Sequence, residues 1–291
     1  MFTNFQGVWA IDKTHERAVR QAIEGSLIDT LPAVLGREWA GHPPVPAQVV
    51  AASGFSYESY FADRLSMGAK SDVPVIPITG MMARGWTWDN TFSNTFIMSL
   101  LASIAQNDAK KGVILDFNTG GGTVDSLDEF AASVQAVMGV KPVVALTNYC
   151  ASAGYYVASQ CSEVLMRQGP TAQIGSIGTI LFYSDYSKAY EKAGIDVTVF
   201  RSSGSVDKAK ANGVEPLDDT TRAEIQGMLD VCNKSFKGAV RAGRGSKLTS
   251  DEIFTGKLYG AKDAKRLGMI DGMADLNGAY NRVIQLSKQY K

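Results

Sequence analysis

Pro142-Val143-Val144-Ala145-Leu146-Thr147-Asn148-Tyr149-Cys150-Ala151-Ser152-Ala153-Gly154-Tyr155-Tyr156-Val157-Ala158-Ser159 changes character halfway along. Its first six residues form an apolar, β-branched run whose length suits a buried strand. From Ala153, small and aromatic residues continue without a breaker as far as Gln160, which suits a helix. Ser152 therefore falls where a strand ends and a helix begins. A hydroxyl there stands clear of its own backbone, and the amides of Ala153 and Gly154 lie at the positive end of the helix dipole. The ordinary role of a serine before a helix is the N-cap. Chemistry at Ser152 needs partners from elsewhere in the chain.

Outward from this junction, strands and helices alternate. Val73–Ile78 reads as a strand, placed at a sheet edge by Pro74 and Pro77. Phe96, Leu100 and Ile104 mark a helix over 96–105, and Gly112–Phe117 is a second strand. Asn118–Thr123 reads as a glycine turn, followed by a helix with Val124, Leu127, Ala131, Val134 and Val137 on one face. Downstream come a strand at 163–166, a glycine-punctuated extended run over 174–182, a helix over 186–193 and a strand at 197–200. A long helix from about Asp218 carries Ile225, Met228, Leu229, Cys232 and Phe236 on its apolar face. The pattern predicts an α/β domain over 71–291 with a largely parallel sheet covered by helices. Residues 1–70 read as a separate N-terminal arm and linker. Thr14 caps a helix through Asp29 there, and four of the nine prolines fall between Pro32 and Pro46.

Composition removes several functions. The 29 basic residues balance the 29 acidic ones, so no global field argues for nucleic acid or an anionic membrane. Cys150, Cys161 and Cys232 are scattered without metal spacing, which fits a reducing compartment and gives no metal or cofactor site. No apolar run is long enough to span a membrane, and Met1–Gly7 lacks the pattern of a signal peptide. A soluble, cytoplasmic protein is expected.

Three features bear on chemistry. Gly120-Gly121-Gly122, after a buried strand and before a helix, could cradle a phosphate. It lacks the spaced glycines of a dinucleotide fingerprint, and no Lys-Ser or Lys-Thr follows. Bare amides in such a turn also suit an oxyanion or a peptide carbonyl. The second feature is the position of the histidines. Only His15 and His42 exist, both in the arm, so a base for Ser152 should be lysine or a carboxylate. The third is the run from Arg201 to Gly213, which holds Lys208 and Lys210. A lysine base must be neutral, and lowering its pKa from about 10.4 by ~3 units costs about 4 kcal/mol. Burial and a nearby cation such as Arg201 could supply that.

Taken together, these motifs resemble the signal peptide peptidase A family of serine peptidases. Asn118–Val124 is similar to its glycine-pair turn, Ala151–Tyr156 to its nucleophile stretch and Ile174–Thr179 to its third signature. The loop from Lys208 to Asn212 with Pro216 and Leu217 is similar to its lysine segment. Phe254–Lys257 and Ala264–Asp271 are similar to its closing signature. The resemblance covers about 73–275, and five motifs in order are far more specific than any one.

The resemblance implies a Clp protease/crotonase-like core of repeated β-β-α units. It also implies a serine–lysine dyad, with Ser152 as nucleophile and Lys208 as general base. Counting back from Asn212 and Leu217 prefers Lys208 to Lys210. The family's oxyanion hole maps to the amides of Gly122 and Ala153. Gly121, Thr123 and Val124 on one side, with Gly175, Ser176 and Ile177 on the other, would flank an extended peptide by strand addition. Thr119-Gly120 stands where the family has serine-proline, and Ala153-Gly154 where it has a glycine pair. Tyr155 and Tyr156 suggest pockets for small or apolar side chains. The start of the chain resembles the tailed-phage branch, whose members cleave scaffold and capsid proteins inside the prohead, and a homo-oligomer is implied. Other readings are a soluble bacterial peptidase of the family, a crotonase-like acyl-CoA enzyme and a catalytically silent capsid-assembly or scaffold component.

Overall fold

Parallel strands buried on both faces read as continuous apolar runs, because helices cover the sheet from two sides. Val113, Ile114 and Leu115, like Val143 to Leu146, are wholly inaccessible to solvent. The computed structural model describes residues 9–11, 71–85 and 93–290. The helix expected over 14–29 and the proline-rich linker lie outside the described residues. In chain order the elements are β1 (Trp9–Ile11), β2 (Val75–Met82), α1 (Asn94–Gln106), β3 (Val113–Thr123), α2 (Leu127–Met138), β4 (Val143–Ala151) and α3 (Ala153–Ala158). They continue with β5 (Glu163–Met166), β6 (Gln173–Gly175), α4 (Ser187–Lys192), α5 (Asp219–Arg244), β7 (Leu258–Tyr259), α6 (Ala261–Arg266), β8 (Gly272–Met273) and α7 (Leu276–Ser287).

β2, β3, β4, β5 and β8 form a parallel sheet in that spatial order. β6 continues the parallel pairing beside the end of β4, and among the described strands β1 and β7 alone join antiparallel. This is the α/β class expected from the alternation, and among the described residues Pro77 lies on an edge strand, β2, which pairs with β3 alone. One sheet face packs on Ile97 and Leu101 of α1, Phe130 and Val134 of α2, and Tyr155 and Val157 of α3. The other face, with Ile114, Val144 and Leu146, is covered by Ala279, Val283 and Leu286 of α7.

Two local expectations are corrected. Gly120–Gly122 is not a turn but the last stretch of β3, which runs to Thr123. The glycines serve the approach of β2, which pairs Met81 with Gly121 and Met82 with Gly122 after a register shift. A Cβ on Gly122 would overlap the Met82 carbonyl oxygen, while Gly121 has φ of 108°. Gly122→Ala should therefore force β2 off β3 and cost roughly 3 kcal/mol or more in denaturant unfolding. Val197–Phe200 is the second correction. It forms no strand, and Phe200 is 92% exposed, because no described strand offers it an edge.

The whole segment between Ile177 and α5 stands off the core: it contributes no buried hydrophobic side chain. α5 starts where expected, with the Asp218 carboxylate accepting from the Thr221 amide at 2.6 Å. Of its predicted apolar face only Phe236 is buried, together with Val240, while Met228 and Val231 face outward.

Candidate active site

The junction at Ser152 holds a non-glycine residue at positive φ. β4 ends at Ala151, α3 begins at Ala153, and Ser152 between them has φ 53° and ψ −118°. A non-glycine residue held at such angles stores about 1–3 kcal/mol of strain. The surrounding backbone enforces it: the Ser152 amide donates to the Gly175 carbonyl at 2.7 Å, and the Tyr156 amide donates to the Ser152 carbonyl at 2.9 Å. An N-cap serine would accept from an amide of the first turn. Ser152 makes no such bond, so the ordinary role is ruled out. Its Oγ is buried and has no hydrogen-bond partner among the described residues. An unsatisfied buried hydroxyl costs a further ~1–3 kcal/mol. Two penalties coincide on one side chain.

The first intrahelical bond of α3 is donated by Tyr156, so the Ala153 amide precedes the helical ladder. β3 and β4 remain paired in parallel, with a register shift after Phe117, as far as Thr119 opposite Cys150. Beyond that point β4 turns off at Ser152 while β3 runs on through Gly121–Thr123. Gly122 thus lies on the strand that continues past the turn. Thr119, a departure from the family pattern, positions this strand: its Oγ1 donates to the Gly80 carbonyl at 2.5 Å and accepts from the Gly121 amide at 3.1 Å. Gly154 lets α3 settle onto β3, since a Cβ there would come within 2.6 Å of Thr119 Cγ2.

The remaining sequence-predicted positions divide. Thr123 donates to Asp125 Oδ1 at 2.6 Å, and Val124 is half-buried just before α2. Gly175, with φ of 130°, lies between β4 and β7, so both of its edges are occupied. Ser176 follows at φ 54°, its amide donating to the Lys257 carbonyl, and Ile177 is a core residue. Tyr155 and Tyr156 are both buried. The Tyr155 hydroxyl donates to the Met269 carbonyl at 3.0 Å within the core. The Tyr156 ring packs 5.2 Å from that of Phe236. Burial, then its hydrogen bond to Asp128, pushes the Tyr156 phenol up to about 12.

Lys208 and Lys210 behave differently. The Lys210 ammonium pairs with Asp207 at 2.7 Å, and that hydrogen bond, with Asp218 beyond it, raises its pKa. A lysine held in its charged form is a poor base. Lys208 is exposed on a turn, with no ion pair among the described residues. Its backbone is fixed by Arg201 and Asn212, tied together by Glu215, which the sequence did not single out. Arg201 Nε donates to the Lys208 carbonyl at 2.6 Å, and another guanidinium nitrogen donates to the Ala209 carbonyl at 3.2 Å. Glu215 pairs with Arg201, and Asn212 bonds both Glu215 and the Ala209 carbonyl. Ala209 itself is held at φ 56°. Among the described residues Lys208 makes no hydrogen bond to Ser152, whose Oγ has no partner.

The family model for peptidase family S49 matches residues 135–290, more than half of the chain and including both Ser152 and Lys208. Capsid assembly protease C of Escherichia phage lambda is 28% identical over 212 residues, which are 71% of this chain and 47% of that protein. Head-tail preconnector protein GP5 of Enterobacteria phage P21 is 26% identical over 212 residues, covering 71% and 42% respectively. The chain spans about half the length of these curated relatives. Among solved structures, a membrane-bound stomatin-specific protease in complex with a substrate peptide aligns at 17% identity and a TM-score of 0.44, over 71% of this chain and 77% of that one. The chain belongs to peptidase family S49.

Proposed function

We propose that this chain is a serine endopeptidase with Ser152 as nucleophile and Lys208 as general base, cleaving extended segments of phage or prophage scaffold or capsid proteins. The observation that carries the reading is the strained, buried Ser152 at the entry to α3, whose hydroxyl has no partner among the described residues. Neutral Lys208 takes the Ser152 proton as Oγ attacks the scissile carbonyl. The amides of Gly122 and Ala153 hold the tetrahedral oxyanion, each worth roughly 10²–10³ in rate. Lys208 returns the proton to the leaving amine as the carbon–nitrogen bond breaks, and water then hydrolyses the acyl-enzyme.

Because the lysine loop stands away from its own core, the dyad closes in an assembly of copies. Exposed Ile195, Val197, Phe200 and Val206 on the same segment supply apolar surface for such packing. The capsid role rests on the two phage relatives, whose names assign them to capsid and head-tail proteins.

A serine-directed fluorophosphonate tests the reading. Wild type should be labelled at Ser152, and labelling should be lost in both Ser152→Ala and Lys208→Ala. Lys210→Ala should keep it, since that side chain is already ion-paired. Equal labelling of wild type and Lys208→Ala would reject the dyad.

A further inference from the structure

Strand β3 has two edges near its end. On one, β2 runs beside it to Met82 opposite Gly122. On the other, β4 accompanies it only to Thr119 opposite Cys150 and then leaves at Ser152. From Gly121 to Thr123 that second edge has lost its parallel neighbour, and an open edge is a template for another strand. β1 takes it: Trp9 pairs antiparallel with Thr123, Ala10 with Gly122 and Ile11 with Gly121. Since β2 already holds the other side of Gly121 and Gly122, β1 lies on the side from which β4 departs toward Ser152. Ser152 is completely buried. No peptide carbonyl reaches its hydroxyl until something gives way.

We propose that Trp9–Ile11 is a built-in occupant of the substrate's strand position, which an extended protein substrate must displace before cleavage. This rests on the reading of Ser152 as nucleophile and of Gly121–Val124 as the edge that receives substrate. The displacement is small because, among the described residues, the ladder spans three residue pairs. An incoming strand that pairs with the same residues replaces the bonds it breaks. The apparent affinity for substrate is then reduced by the fraction of chains in which the edge is free. The N-terminal strand therefore sets a threshold that favours long, well-pairing segments over short ones.

The test compares the full chain with Ala10→Pro, in which proline removes the backbone N–H from the middle residue of β1. Two fluorophosphonates are used, one small and one carrying a peptide leader of several residues. Labelling of Ser152 by either probe, absent in Ser152→Ala, shows a competent nucleophile. Ala10→Pro should react with the peptide-leader probe about fivefold faster or more, as expected if the edge is free in a minority of native chains. A synthetic peptide of residues 5–14 added to Ala10→Pro should slow that probe again, competitively. Equal peptide-probe rates in the two proteins, with no inhibition by the added peptide, would overturn the occupancy while leaving the nucleophile intact. Absence of Ser152 labelling by both probes in both proteins would bring down the peptidase reading and the occupancy with it.

Discussion

Ser152→Gly should give a protein that is more stable than wild type and inactive. Glycine adopts φ near 50° without penalty and removes the unpartnered hydroxyl, relieving roughly 1–3 kcal/mol from the backbone alone. The extra freedom of glycine in the unfolded chain returns about 0.5–1 kcal/mol of that. Ser152→Ala keeps the backbone strain and loses only the buried hydroxyl, so the order of stability should be glycine, then alanine, then serine. Peptide hydrolysis should fall about 10⁴-fold or more in either variant, as when a nucleophile is removed from a hydrolase. Denaturant midpoints and a peptide-cleavage assay on the same preparations read both effects. Wild type emerging as the most stable of the three would mean that Oγ is satisfied in solution and that the strain has no catalytic purpose.

The sequence made this junction legible because the signal is local. A β-branched run that gives way to small residues changes period within a few positions, and β4, Ser152 and α3 follow that change. What was not legible depends on distant partners. Three consecutive glycines suit a tight turn as well as a strand closely approached by another. Only the pairing with Met81 and Met82, some forty residues earlier, decides for the strand. Val197–Phe200 has the composition of a strand, but no described strand edge in the chain pairs with it. The Arg201–Glu215–Asn212 cluster that fixes the lysine loop has no periodic signature, so it became visible only with side chains in place. Trp9–Ile11 is the extreme case, since nothing local predicts that three residues of an arm complete the sheet beside Gly122.

The closing signature of the family does its work through structure, and Asp271→Ala should show this as the largest stability loss in the domain. Arg244, at the end of α5, is completely buried. Its Nε donates to the Gly268 carbonyl at 3.0 Å and its NH1 to Asp271 Oδ2 at 2.7 Å. The same carboxylate pairs with Lys247 at 2.6 Å and accepts from the Val164 amide at 2.8 Å, which ties β5 to this corner. Removing it strands a buried guanidinium beside one carbonyl, at a cost of about 3–5 kcal/mol. Burial alone would raise the Asp271 pKa, but the bonds from Arg244 and Lys247 outweigh it and hold the carboxyl down at about 2.

A depressed acid contributes its stability above its unfolded pKa and loses it as pH falls through the folded one. The Asp271 contribution, about 2 kcal/mol from this shift, should be intact above about pH 4 and fade toward pH 2. Asp271→Asn, which keeps the shape without the charge, should lack that acid step in urea unfolding followed across the window. The loss should reach Ser152 as well, because Tyr155 of α3 is anchored to the Met269 carbonyl in the same loop. Fluorophosphonate labelling should slow in Asp271→Ala even at temperatures where the chain stays folded. Unchanged labelling in a folded but destabilised Asp271→Ala would show that the corner supports the fold without positioning the nucleophile.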